Sequence, residues 1–158
     1  MTTSTYAIAI GSNRRGRHGG PAAAIRAAIA ALQGVSAVAP VIGSAPLGPS
    51  LRRYANTAVL IDSDLSPPAL LIRLKAIEQA FGRRRGRRWG SRVLDLDIVL
   101  WSGGCWSGPG LTVPHISFRE RDFVLGPLVR IAGDWRDPVS GRTVRHLHHL
   151  VDRARPRD

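Results

Sequence analysis

The sequence predicts an α+β fold in which two helices lie on one face of an antiparallel sheet. Three observations carry this. Four stretches have the length and apolar pattern of strands, at residues 6–10, 35–44, 54–61 and in the run that ends at Leu100. Two stretches have helical spacing with a proline at the first position, at residues 21–32 and 67–81. Their order is strand, helix, strand, strand, helix, strand, which is the split βαβ pattern of ferredoxin-like folds.

Taken in order, Tyr6-Ala-Ile-Ala-Ile10 alternates as a strand does, and Gly11-Ser12-Asn13 ends it. A polar, Gly-rich loop follows through Gly20. Pro21 then opens an Ala-rich helix that Gly34 terminates. Small apolar residues from 35 to 44 form a second strand, and Pro46-Leu-Gly-Pro49 is a turn. The third strand holds Asn56, a residue type depleted in strands. Ser66 is placed as the N-cap of the second helix, whose apolar stripe is Leu70, Leu71, Leu74, Ile77 and Phe81. Residues 101–110 are Gly-rich and read as a hairpin or an irregular excursion. Residues 111–115 are a short extended piece. Helical turns over 119–132 are expected to be interrupted at Pro127, and residues 143–151 are only weakly helical.

The chain has 158 residues, enough for one domain with a real core. Its 44% hydrophobic and 22% charged composition excludes a disordered chain. It has no apolar run long enough for a membrane helix, and its first residues lack the form of a signal peptide. One cysteine, Cys105, excludes an internal disulfide, which suits a cytoplasmic protein. A monomer is expected. The formal charge is +12 with Lys75 as the only lysine, so arginine supplies almost all the positive charge. That surplus fits either nucleic acid or anionic small molecules. Aromatics are only 6% of the chain and no RNA-binding or zinc-finger motif is present, so nucleic acid is not expected.

The densest chemistry lies between residues 83 and 100. Its first half is a cationic loop around Trp89, and its second half is a strand carrying Asp95 and Asp97. Two residues apart on a strand, these carboxylates share a face, while Leu96 and Ile98 point to the other. Like charges side by side resist burial, and a divalent cation relieves the repulsion. Mg²⁺ is typically held by one or two carboxylates plus phosphate oxygens, and arginine forks suit phosphate. By spacing alone, a solvated carboxylate pair balancing nearby arginines remains an equal alternative.

Longer motifs go further. Gly11-Ser12-Asn13, then 46–49 followed by Tyr54-Ala-Asn56, then Ile77-Glu78, Gly82-Arg83-Arg84-Arg85, Arg88-Trp89-Gly-Ser-Arg92 and Leu94-Asp-Leu-Asp-Ile98, then Val113-Pro114-His115 and the run from Arg121 to Leu128, occur in this order. The chain therefore resembles the 6-hydroxymethyl-7,8-dihydropterin pyrophosphokinases of folate biosynthesis over almost its whole length. The resemblance implies transfer of the β- and γ-phosphoryl groups of ATP, as one unit, to the hydroxymethyl oxygen of 6-hydroxymethyl-7,8-dihydropterin, with AMP leaving. It implies two Mg²⁺ ions held by Asp95 and Asp97, with Arg83 and Arg92 as further catalytic residues. It places Ala45, Leu47, Tyr54, Asn56, Trp89 and Phe123 around the pterin. It places Glu78, Arg83, Arg85, Arg88, Arg92, Ile98, Thr112, His115 and Arg121 around ATP. Residues 11–20, 48–53 and 83–88 are expected to act as lids.

The chain departs from the family pattern at several points. The loops before Tyr54 and before Arg88 are each one residue short. Lys75 stands where a polar amide is common, and Ile116 where an aromatic is common. The arginine-rich tail and the histidines at 146, 148 and 149 are not accounted for by the resemblance. Two alternatives remain: a nucleic-acid binder on the same fold, and a relative that binds the ligands without turnover.

Overall fold

The computed structural model describes residues 2–44, 54–82 and 93–154. Among these the elements run β1 (Ser4–Ser12), α1 (Pro21–Ala31), β2 (Val35–Val38), β3 (Ile42–Ser44), β4 (Tyr54–Ser63), α2 (Pro67–Ala80), β5 (Asp95–Trp101), β6 (Trp106–Gly108), β7 (Leu111–Val113), a short 3-10 helix (Phe118–Glu120), α3 (Asp122–Ala132) and α4 (Val144–Ala154). The main sheet is antiparallel in the order β2-β4-β1-β5, and β3 extends β2 along the same edge of β4. With β2 and β3 taken as one broken strand, this is the expected βαββαβ arrangement.

The break comes at Pro40. Ala39 still donates to Ala58 O at 2.9 Å, but a proline has no N–H to continue the ladder. The expected single strand over 35–44 is therefore two. The α1–β2 turn needs Gly34, which has φ +76° and whose added Cβ would meet Asp62 O at 2.1 Å. Ser66 caps α2 as expected, its Oγ accepting from Ala69 N, with Pro67 at the first position. Tyr6 is fully buried, and its hydroxyl donates to Leu65 O at 2.6 Å, tying β1 to the turn before α2.

The two faces of the sheet differ in side-chain size. Tyr6, Ile8, Ile10, Val59, Ile61, Leu96 and Ile98 pack with Ile25, Leu70 and Leu74 of α1 and α2. The other face carries Ala7, Ala9, Ala58 and Leu60, and packs with Leu125 and Leu128 of α3 and Leu147 of α4. Helices thus cover both faces, not one. The second layer was missed because Pro127 reads as a break, yet α3 runs unbroken through it. Proline inside a helix costs about 3 kcal/mol, and here burial of Val124, Leu125, Leu128 and Ala132 offsets that. The weakly helical tail is likewise a full helix, with Val144 and Leu147 buried and Val151 packed beside them. A hairpin does form, but over residues 106–113: the end of the excursion expected at 101–110 pairs with the extended piece expected at 111–115.

β5 ends the path, so among the described residues some of its backbone groups have no strand partner. One is taken by Glu78, whose Oε2 accepts from Leu96 N at 2.8 Å. Glu78 is fully buried, and Lys75 lies 3.3 Å from its Oε1. We predict that Glu78→Ala destabilises the fold by about 1–3 kcal/mol, the cost of stranding a buried donor. Glu78→Gln, which keeps an acceptor, loses less. Urea denaturation of both variants measures the difference.

Candidate active site

The edge strand places Asp95 and Asp97 half-buried on one face and Leu96 and Ile98 buried on the other. The period-two expectation holds. Register shows what surrounds the pair. Asp95 lies opposite Gly11, and Gly11 lies opposite Asn56; Asp97 lies opposite Ala9, and Ala9 opposite Ala58. Two parallel rows thus cross the sheet, Asn56–Gly11–Asp95 and Ala58–Ala9–Asp97. Only small residues separate the carboxylates from the amide. Gly11 matters here for space: a Cβ on it would stand 3.1 Å from Asn56 Oδ1. Asn56 is buried, and Tyr54 begins the same strand on the same face, half-buried.

Beyond the pair the strand bulges. The register against β1 shifts between Ala7 and Ile8, leaving Val99 without an opposite residue. Val99 and Leu100 accordingly join the α3–α4 core. Trp101 moves to the other face, where its ring stacks on Tyr6 at 6.1 Å between centroids. Val99 O accepts from His115 N at 3.0 Å. This bond brings the segment after Pro114 against the strand that carries the carboxylates.

Electrostatics single out Asp97. Desolvation raises its pKa, the Asp95 carboxylate raises it further, and Glu78 adds to this. Positive charge on His115 and Lys75 opposes the rise. Charged groups on β5, α2 and the segment after β7 therefore act together on Asp97. Lys75, expected from sequence only as a departure, is part of this cluster.

His115 is half-buried, and its Nδ1 accepts from Ser117 N at 3.1 Å. Arg121 precedes the first residue of α3, with its guanidinium carbon 5.7 Å from the centroid of the Phe123 ring. Phe123 is 41% exposed, far more than an aromatic filling a core. α3 packs on β1, β3 and β4, so Phe123 opens a helix that covers the same face as Asn56 and the two aspartates. Thr112 is exposed on β7, which lies against β5. The Ile98 side chain is buried with Leu96 in the core beneath the helices α1 and α2. Glu78 is enclosed behind the strand, bonded to Leu96.

Ala45, Leu47, Arg83, Arg85, Arg88, Trp89 and Arg92 lie outside the described residues, as do the expected lids at 48–53 and 83–88. The first expected lid is described. Gly16 and Gly19 pair across its tip, and a Cβ on Gly16 would meet Val93 at 2.6 Å. A cavity of about 350 Å³ lies there, lined by Arg14, Arg15, Arg17, Phe81, Gly82 and Val93.

Among the described residues no three His, Cys, Asp or Glu side chains gather as a metal cluster. The histidines of α4 do not form one, and His148 lies 3.8 Å from Asp152. Asp95 and Asp97 remain a two-carboxylate donor set. Residue-type reasoning missed Gly11, whose signal is its place opposite Asn56, and Asp137, a fully buried carboxylate paired with Arg119. No helix among the described residues is long and apolar enough to cross a membrane.

Comparison with known proteins shows what the chain is similar to. The model of the 7,8-dihydro-6-hydroxymethylpterin-pyrophosphokinase (HPPK) family matches residues 7–133. A 2-amino-4-hydroxy-6-hydroxymethyldihydropteridine pyrophosphokinase of Synechocystis sp. is 46% identical over 109 residues, which is 69% of this chain and 56% of that protein. The protein of the same description from Pseudomonas aeruginosa is 44% identical over 116 residues, 73% of this chain and 69% of that protein. Against the first of these relatives, then, the chain spans little more than half the length. Among solved structures, Plasmodium falciparum HPPK-DHPS A437G with SDX-DHP superposes with a TM-score of 0.75 at 12% identity, covering 94% of this chain and 45% of that one. That likeness supports the fold alone. With the family model spanning most of the chain, and with Asp95, Asp97 and Asn56 on one face of the sheet, the protein belongs to the 7,8-dihydro-6-hydroxymethylpterin-pyrophosphokinase family.

Proposed function

We propose that this protein transfers pyrophosphate from ATP to the hydroxymethyl group of 6-hydroxymethyl-7,8-dihydropterin, releasing AMP. The observation that carries this reading is the shared face of Asp95, Asp97 and Asn56 in a chain of this family. The hydroxymethyl oxygen forms a bond to the β-phosphorus of ATP as the bond from that phosphorus to the α,β-bridging oxygen breaks. The proton of the alcohol is released, and AMP carries away the bridging oxygen.

The donor set fits Mg²⁺. Asp95 and Asp97 repel each other in a partly desolvated site, and bound cations relieve that cost. In this reading Asp95 and Asp97 would hold two Mg²⁺ ions, and these would supply positive charge to the phosphates. The chain's own residues bind and orient. Asn56 offers an amide to the pterin edge, and Phe123 and Tyr54 offer ring faces to the flat heterocycle. In this reading His115 and Arg121 contact the polyphosphate, and Thr112 with the Ile98 main chain contacts the nucleoside. The family arginines at 83, 85, 88 and 92, Trp89, and the backbone of Ala45 and Leu47 complete the proposed set. Glu78 supports the site from behind, through the peptide between the two aspartates. No covalent intermediate is required, so positioning and charge carry the rate. A cytoplasmic, monomeric protein acting on small molecules remains the expectation.

Three outcomes test this. With ATP, Mg²⁺ and the hydroxymethyl dihydropterin, the protein releases AMP; with the pterin omitted, it does not. ADP release, or AMP release without the pterin, contradicts the proposal. Asp97→Ala lowers turnover by about 10²- to 10³-fold while the circular dichroism spectrum is kept; a variant with a normal rate removes Asp97 from the metal site. Stability responds in the opposite direction. The folded-state pKa of Asp97 is raised, so its protonated form favours the fold. That contribution is full below the unfolded pKa and is lost as pH rises through the folded one. At neutral pH the ionised side chain therefore costs stability, and Asp97→Asn raises the Tm of the metal-free protein. A lower Tm at pH 7 contradicts the stated burial and repulsion.

A further inference from the structure

His115 and Arg121 reach the site from one short turn, and that turn is held from an unexpected direction. His115 N is bonded to Val99 O of β5. Phe118, fully buried, plugs into the α3–α4 core. Between them and Arg121 the backbone closes on itself: Phe118 N donates to His115 O, Glu120 N to Ser117 O and Arg121 N to Phe118 O, all at 3.3–3.4 Å. These long bonds are weak supports for a turn that must present two side chains in register.

The strong support is Arg119, two residues before Arg121. Its guanidinium carbon lies 4.8 Å from the centroid of the Phe118 ring, and the side chain is only 27% exposed. Its Nε and Nη2 donate to Oδ2 and Oδ1 of Asp137, at 2.5 and 2.8 Å. This is a two-point fork, the geometry that fixes direction as well as distance. Asp137 is itself immobilised. Its carboxylate is fully buried, and also accepts from Val139 N at 3.0 Å and Ser140 Oγ at 2.7 Å. Its main chain bonds Arg142 O and Gly141 N, both at 2.8 Å, inside a loop that a bridge between Arg136 and Thr143 closes. The Arg119 guanidinium holds the Asp137 carboxyl well below the usual carboxylate range, and Asp137 raises the pKa of Arg119 in return. Asp137 lies past residue 133, where the family match ends, while His115 and Arg121 lie within it.

We propose that Asp137 is a positioning residue for nucleotide binding: by clamping Arg119 it fixes the turn that presents His115 and Arg121. The inference rests on the reading of those two residues as nucleotide contacts. Without the clamp, a half-enclosed guanidinium must find water, and the turn must shift to let it. A misplacement of that size is felt at the ligand, not only in the fold.

The test compares the wild type with Asp137→Asn, Arg119→Met and the double variant. Calorimetry gives dissociation constants for the Mg²⁺ complex of a non-hydrolysable ATP analogue and, separately, for 6-hydroxymethylpterin; steady-state assays give KM for each substrate. Each single variant is expected to weaken analogue binding and raise KM for ATP about tenfold. The pterin constants stay within about twofold, and the double variant is no worse than either single one, because the two side chains act as a unit. Ser140→Ala covers the case in which the clamp variants do not fold. It removes one hydrogen bond to Asp137, and is expected to raise KM for ATP about two- to threefold with the pterin unchanged. Folded variants with wild-type nucleotide affinity overturn the proposal, as does an equal loss for both ligands. A wild type that releases no AMP sinks the functional reading and this inference together; an active wild type with indifferent variants sinks the clamp alone.

Discussion

Asp95 and Asp97 are like charges held on one face of a half-buried edge strand, and the neighbourhood is built to make that tolerable. The cost is visible in Asp97, whose pKa burial and Asp95 both raise. The strand cannot escape by twisting away. β1 pairs with it along one edge, and Glu78 takes the Leu96 N–H, the peptide between the two acids, on the other. A buried carboxylate that raises the pKa of another is an unfavourable choice for stability alone. It makes sense as scaffolding for a pair whose repulsion is answered when a ligand supplies cations.

The sheet separates structural from functional demands by face. Large side chains, Tyr6, Ile8, Ile10, Val59 and Ile61, gather beneath α1 and α2 and supply most of that core. The opposite face has Ala7, Ala9, Gly11, Asn56 and Ala58 alongside the aspartates. Small residues leave floor space above the sheet, and α3 closes one side of it with Phe123 at its first turn. The bulge at Val99 then returns β5 to core packing, sending Val99 and Leu100 towards α3 and Trp101 towards Tyr6. One strand thus serves the site at its start and the core at its end.

Much of this was legible from residue order. The carboxylate pair follows from period two, the α2 start from Ser66 and Pro67, and the α1 stop from Gly34. The long Arg-Trp-Gly to Leu-Asp-Leu-Asp signature identified the family, which pairwise spacing does not do. Local signals failed where tertiary packing overrode them. Pro40 split a strand that reads as continuous, and α3 continued through Pro127 because its buried apolar residues outweigh one lost backbone bond. α4 looked too polar to be a helix of consequence, yet Val144, Leu147 and Val151 form a stripe that covers α3. Glu78 and Asp137 each serve a partner 18 residues away, a relation no window of sequence contains.

On the proposed function, Asp95 and Asp97 together grip the cations that hold a nucleotide's phosphates on the small-residue face of the sheet. A crystal structure with Mg²⁺, a non-hydrolysable ATP analogue and the pterin tests it most directly. The account requires both carboxylates to ligate metal, with phosphate oxygens completing the coordination and the pterin between Asn56 and Phe123. Metal bound without either aspartate, or a nucleotide seated on the α1–α2 side of the sheet, contradicts it.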